Sequence, residues 1–257
     1  MKPPPARRRW LLGAVVAAAL VGGALLVRLG PALSLALALV RPDAESWLAP
    51  LLDEVSVEET SVTADGRRLV ADLYRPSAPR GALLLVHGLS PAGRRHPDLV
   101  RLARLLAERH WLVLVPQFEG LAAFRLSGRE VAEVRAALRG LAGQGPSVAV
   151  AGLSFGAGPA LLAALPAEAR AAIEQLSPLA AVPRLSGRLL IAHGAGDVSI
   201  PFTQSLRLAE ASAGRAHAVI FETFEHTTAQ ALWSSLGSRL RDGHRLLWLA
   251  DALLARR

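Results

Sequence analysis

Residues 147–165 read SVAVAGLSFGAGPALLAAL. The opening run, Ser147–Ala151, is short and almost wholly apolar, the pattern of a strand buried on both faces. The closing run, Ala157–Leu165, predicts a helix of small residues. Pro159 falls in its first turn, where a missing N–H costs little. Between the two stands Gly152-Leu153-Ser154-Phe155-Gly156, the pattern G-x-S-x-G. Small residues beside the serine are what a tight, strained strand-to-helix turn requires, and such a turn lifts the hydroxyl clear of the sheet. The pattern alone also fits a plain turn serine. The strand before it and the helix after it favour a nucleophile.

On either side of this stretch the chain alternates. Val55–Thr63 and Arg67–Tyr74 are extended runs joined by Ala64-Asp65-Gly66, a hairpin signal. Ala82–His87 and Trp111–Val115 read as buried strands, with a helix over Asp98–Arg109 between them. Ser127-Gly128-Arg129-Glu130 is a capping-box pattern, and Val131, Val134, Leu138 and Leu141 continue one helix face. Ala171–Leu176, Leu189–His193 and Ala218–Phe221 are three more strand candidates. A helix over Ser205–Ser212 separates the last two, and a long C-terminal helix runs from Thr228, with Gly237 and Gly243 as points of interruption. Alternating strands and helices after an antiparallel hairpin predict an α/β fold: a mostly parallel sheet covered on both faces, with its ligand site at the carboxyl ends of the strands.

The chain has 257 residues, enough for one ordinary domain and an extra segment. With no cysteine, disulfides, thiolate nucleophiles and Cys-based metal sites are excluded. The net charge is +8, which taken alone suggests a nucleic-acid partner. Its placement argues otherwise: residues 1–40 hold Lys2, Arg7, Arg8, Arg9 and Arg28 and no acid, leaving the remainder nearly balanced.

The first segment reads as a membrane anchor. Residues 1–9 form a basic head, and Trp10–Val27 carries no charge. As a helix at about 1.5 Å per residue, this run spans about 27 Å, close to a bilayer core. The expected division is head 1–9, transmembrane anchor 10–29, juxtamembrane linker 30–54 and catalytic domain 55–257. Pro31 is expected to end or kink the helix, with Arg28 snorkelling to an interface. The basic head predicts a cytoplasmic N-terminus and a domain on the other side. The competing reading is a cleaved signal: Ala36-Leu37-Ala38 passes as a cleavage motif, and Arg7-Arg8-Arg9-Trp10-Leu11 loosely resembles a twin-arginine signal.

A serine hydroxyl needs a base, and the base needs an acid to orient it. His226 follows the strand that ends near Phe221, and Asp197 follows the strand Leu189–His193. The order Ser154, Asp197, His226 is that of one known solution to the triad problem. Asp197 has a rival role as a cap for the helix near Pro201–Ser205. The backbone amides of Leu89, after His87-Gly88, and of Phe155 are the expected oxyanion donors.

His87-Gly88, the Gly152–Gly156 turn, His193-Gly194 through Asp197 and Pro201, and His226 together resemble the α/β-hydrolase superfamily over about residues 55–257. The resemblance implies an eight-stranded sheet whose first strands are antiparallel, and an acyl-enzyme mechanism. The short stretch between Gln175 and the strand at Leu189 leaves no room for a separate cap domain, which is similar to the dienelactone-hydrolase-like and small carboxylesterase members. One departure is Gln117, where many relatives carry Asp.

The remaining candidates have ordinary readings. His217 starts a strand and His244 sits on the last helix. His87 and His193 are expected to pack and hydrogen-bond beneath the site, and His96 and His110 to lie on the surface. Arg94-Arg95 reads as a solvated loop or, near the site, as a contact for an acidic substrate or lipid headgroup. No His/Asp/Glu cluster has metal-ligand spacing, and no cofactor is expected. The reading is a membrane-anchored serine hydrolase that cleaves a carboxylic ester of a small or lipid-like acyl substrate, with nucleic acid excluded as a partner. The alternatives are an acyltransferase with the same triad and a non-catalytic tethered binding module.

Overall fold

The computed structural model describes residues 5–40, 52–125, 127–165, 178–226 and 236–254. Its strands are β1 (Val55–Ala64), β2 (Arg67–Pro76), β3 (Gly81–Val86), β4 (Trp111–Pro116), β5 (Val148–Gly152), β6 (Leu189–Gly194) and β7 (Ala216–Phe221). Its α-helices are α1 (Pro5–Val40), α2 (Pro97–Ala107), α3 (Glu119–Ala122), α4 (Glu130–Leu141), α5 (Ala157–Ala163), α6 (Pro178–Ala181), α7 (Thr203–Ala211) and α8 (Leu236–Leu254). The chain forms two compact units, Ala49–Arg245 and a smaller one that joins Met1–Leu48 to Leu246–Arg257.

In the larger unit every residue of β3 is buried, as its unbroken apolar run demands. β3 sits inside a five-stranded mixed sheet of order β1-β2-β4-β3-β5. β1 pairs antiparallel with β2, and β2 with β4, whereas β4, β3 and β5 are parallel. Ala64 pairs with Arg67, so the hairpin turns on Asp65 and Gly66 alone, both at positive φ (48° and 75°). Leu69, Ala71 and Leu73 of β2 point into one core with Leu84, Val86, Leu112 and Leu114. α4 packs on β1 and β3, α5 on β5, and α2 on β4 and β2, so helices cover both sides. β6 and β7 form a separate parallel pair. The expected eight-stranded sheet is thus seen as seven strands in two sheets among the described residues; the strand expected at Ala171–Leu176 lies outside them.

Ser127 carries the capping-box signal in altered form. Its N–H and hydroxyl both donate to Glu130 Oε1 (3.1 and 2.9 Å), and α4 begins at Glu130 itself. Gly243 does not interrupt α8, and Gly237 lies inside it. The start expected for that helix at Thr228 lies outside the described residues.

In the smaller unit Pro31 does not end the helix. α1 continues through it for 36 residues, and the stretch Gly13–Val40 is long and apolar enough to cross a membrane; a signal sequence would pass the same test. The Arg28 guanidinium pairs with Asp251 of α8 (Nη2 to Oδ2 3.0 Å).

Candidate active site

β5 ends at Gly152, and one 3-10 turn over Ser154–Gly156 leads into α5. Ser154 has φ 50°, the left-handed region, which costs a non-glycine residue about 1 kcal/mol. The flanking glycines supply room. A Cβ on Gly152 would stand 2.6 Å from Ala157 N, and one on Gly156 would stand 2.6 Å from Val86 O. Neither neighbour is a side chain that could swing aside, so the pattern reflects backbone packing on both sides of the serine.

The loops after β6 and β7 are tied to each other. Ala195 N donates to Phe221 O (2.8 Å) and Gly196 N to Phe224 O (3.1 Å). These bonds set Asp197 beside His226. His226 Nδ1 lies 2.6 Å from Asp197 Oδ2, and His226 Nε2 lies 2.9 Å from Ser154 Oγ. A carboxylate only accepts, so Nδ1 carries the proton and Nε2 is left to accept the serine hydroxyl. The Asp197 side chain is buried, and its other oxygen accepts the amides of Ser199 (2.8 Å) and Ile200 (2.9 Å). Asp197 is thus the histidine partner; the rival role as a cap of the helix near Pro201–Ser205 is not realised, since α7 begins at Thr203 after Phe202 with no side-chain cap, and the second oxygen of Asp197 is held by the loop amides instead. Burial alone would raise its pKa, but the bonds from His226, Ile200 and Ser199 outweigh that and hold it at about 2.

The turn before the His226 loop is braced from α8. Thr223 donates its N–H (2.7 Å) and hydroxyl (2.8 Å) to Asp242 Oδ2. Glu222 receives Arg241, Ser238 and Arg245, which together hold its carboxyl down at about 2.

The loop after β3 passes over the serine. A Cβ on Gly88 would lie 3.1 Å from Ser154 Cβ and from Leu153 O, so a side chain there would crowd the serine. Neither Leu89 N nor Phe155 N has an acceptor among the described residues. Both are free to serve an oxyanion.

His87 and His193 do what packing histidines do. His87 is buried, gives Nδ1–H to Gly88 O (2.8 Å), and accepts Phe118 N–H at Nε2 (3.0 Å). His193 gives Nε2–H to Ile200 O (2.9 Å) and accepts Ser205 Oγ at Nδ1 (2.7 Å). His217 lies in β7, and His244 is exposed on α8. His96 is half-buried, with its side chain 43% exposed. His110 is half-buried too, at φ 68°, with Nδ1 3.3 Å from Asp53 Oδ2, because it closes the turn between α2 and β4.

Arg94 corrects the sequence reading most sharply. It is buried, not solvated. Its guanidinium pairs with Asp72 of β2 and Glu59 of β1 (2.7 Å to Glu59), and its N–H donates to Gln117 Oε1 (3.0 Å). Gly93 (φ 51°) lets the loop press against the Gln117 side chain. With both carboxylates taken, Arg94 has no charge to offer an acidic ligand. Only Arg95 remains exposed, 3.6 Å from Glu59. Arg94 and Gln117 were missed as site-building residues. The sequence signal was the unusual Gln117, whose side chain binds the loop that carries Leu89.

No protein-family model and no curated protein matches the chain. Solved structures do. A dienelactone hydrolase from Anabaena variabilis is 20% identical with a TM-score of 0.57, covering 77% of this chain and 96% of its own. A dienelactone hydrolase-like promiscuous phosphotriesterase from metagenomic libraries is 15% identical with a TM-score of 0.56, over 77% and 98%. An esterase from Pyrococcus furiosus is 13% identical with a TM-score of 0.56, over 79% and 94%. The strand order, the strained serine turn and these likenesses agree: the chain has the α/β-hydrolase fold.

Proposed function

We propose that the chain is a membrane-anchored serine hydrolase that cleaves carboxylic esters. One observation carries this reading: an unbroken hydrogen-bonded line from Ser154 Oγ through His226 to the ionised Asp197, with the serine exposed to solvent. Ser154 Oγ attacks the ester carbonyl carbon as its proton passes to His226 Nε2. The amides of Leu89 and Phe155 hold the negative oxygen, and Asp197 stabilises the imidazolium. The bond to the alcohol breaks, and the alcohol leaves with the proton from His226. Water then attacks the acyl-serine, gives its proton to His226, and releases the acid as that proton returns to Ser154.

The apolar helix over Gly13–Val40 is the anchor in this reading, with the basic head on the cytoplasmic side. The test is labelling of the full chain by a fluorophosphonate probe, together with hydrolysis of p-nitrophenyl acetate. Labelling of the intact protein that vanishes in Ser154→Ala and His226→Ala is the expected result. A folded protein that neither labels nor hydrolyses the ester would overturn the reading.

A further inference from the structure

Exposed apolar side chains are ordinary when scattered and informative when gathered. In the unit Ala49–Arg245 several follow the carboxyl ends of strands in both sheets. Phe124 follows β4 and α3, Phe155 follows β5, and Val198 and Ile200 follow β6. All lie beyond the carboxyl ends of their strands, the end that carries Ser154, Asp197 and His226. They are 59%, 44%, 97% and 39% exposed. Phe155 adjoins the nucleophile in the chain and Val198 adjoins Asp197, while Ile200 gives its amide to Asp197. Phe124 sits at φ 55°, a costly backbone for an aromatic residue, yet its ring is mostly in water. Exposed Arg125 and Arg129 follow it in the chain.

A small soluble ester would leave this rim wet. A lipid surface would cover it: aromatic and aliphatic groups rest at the boundary between headgroups and acyl chains, and adjacent arginines meet anionic headgroups. The same chain carries a helix long and apolar enough to cross a membrane, which would keep the site at a bilayer surface. We propose that the substrate is an ester lipid taken directly from an anionic bilayer, with Phe124, Phe155, Val198 and Ile200 as the rim that docks on it and guides the acyl chain to Ser154. This deepens the hydrolase reading and rests on it.

The test uses the full chain in vesicles of equimolar phosphatidylcholine and phosphatidylglycerol. Two substrates are compared, p-nitrophenyl acetate in the water and p-nitrophenyl palmitate in the bilayer. The variant is Phe124→Glu with Val198→Glu, both at exposed positions, with its thermal unfolding checked against the parent. Loss of palmitate cleavage by about tenfold or more, with acetate cleavage within about twofold, is the expected result. Equal effects on both substrates, or none on either, would overturn the proposal. So would a parent protein that cleaves acetate but not the embedded palmitate, and in that case the hydrolase reading stands. A folded parent that neither labels with fluorophosphonate nor cleaves acetate fails on the hydrolase reading itself and takes this proposal with it.

Discussion

Asp197 and His226 are joined by a 2.6 Å bond from Nδ1 to Oδ2, while Asp197 keeps its second oxygen on the amides of Ser199 and Ile200. The loop therefore holds the carboxylate in place whether or not the histidine is present. Asp197→Asn can keep the loop contact, but an amide presented to Nδ1 favours the wrong tautomer of His226. Its kcat should fall by roughly 10³–10⁴-fold with little change in KM. Steady-state ester kinetics, with Tm as the control for folding, check this.

Ser154 stores strain for the sake of its exposed hydroxyl. Replacing it by glycine removes the steric cost of φ 50° at the expense of some chain entropy. Ser154→Gly should be inactive yet no less stable than the parent, and up to about 1 kcal/mol more stable. Urea unfolding of the two proteins would decide it, and a clear loss of stability would mean the turn is not strained.

The contact between Gln117 and the Arg94 amide should act on rate more than on binding. Gln117→Leu removes the acceptor and frees the loop that carries Leu89, so kcat should drop by about tenfold while KM holds. Gln117→Glu retains an acceptor oxygen and should restore most of the rate. The stability loss in the leucine variant should be only about 1 kcal/mol. Parallel loss of rate in both variants would sink the positioning role.

Acid should destabilise the protein through His87. Burial pushes this imidazole below its ordinary range, against the opposing pull of the Gly88 carbonyl and Glu119, and Phe118 N–H donates to the nitrogen a second proton would need. A base with a lowered folded pKa binds fewer protons folded than unfolded. Its contribution is thus intact above the unfolded value, about 6.5, and is lost as pH falls below it. Tm measured from about pH 8 down to about pH 5 should fall more steeply in the parent than in His87→Gln. Equal slopes would refute this.

The sequence by itself determined the local elements and the order of the chemistry. Apolar runs marked β3, β4 and β5, Asp65-Gly66 marked the hairpin, and G-x-S-x-G between a strand and a helix marked the serine turn, because each is set by neighbours a few residues apart. Asp197 and His226 were legible as strand-end residues in a known order. Only the tertiary structure decided that His226 reaches Ser154 across 72 residues of chain and Asp197 across 29, through bonds between the β6 and β7 loops. Arg94 was illegible for the same reason. An arginine beside another arginine and a glycine looks solvated until β1 and β2 bring Glu59 and Asp72 to it, and its burial depends on those two carboxylates. Pro31 likewise looked like a stop or a kink, and the helix runs on through it because the residues on both sides, rich in Ala and Leu, are strong helix formers.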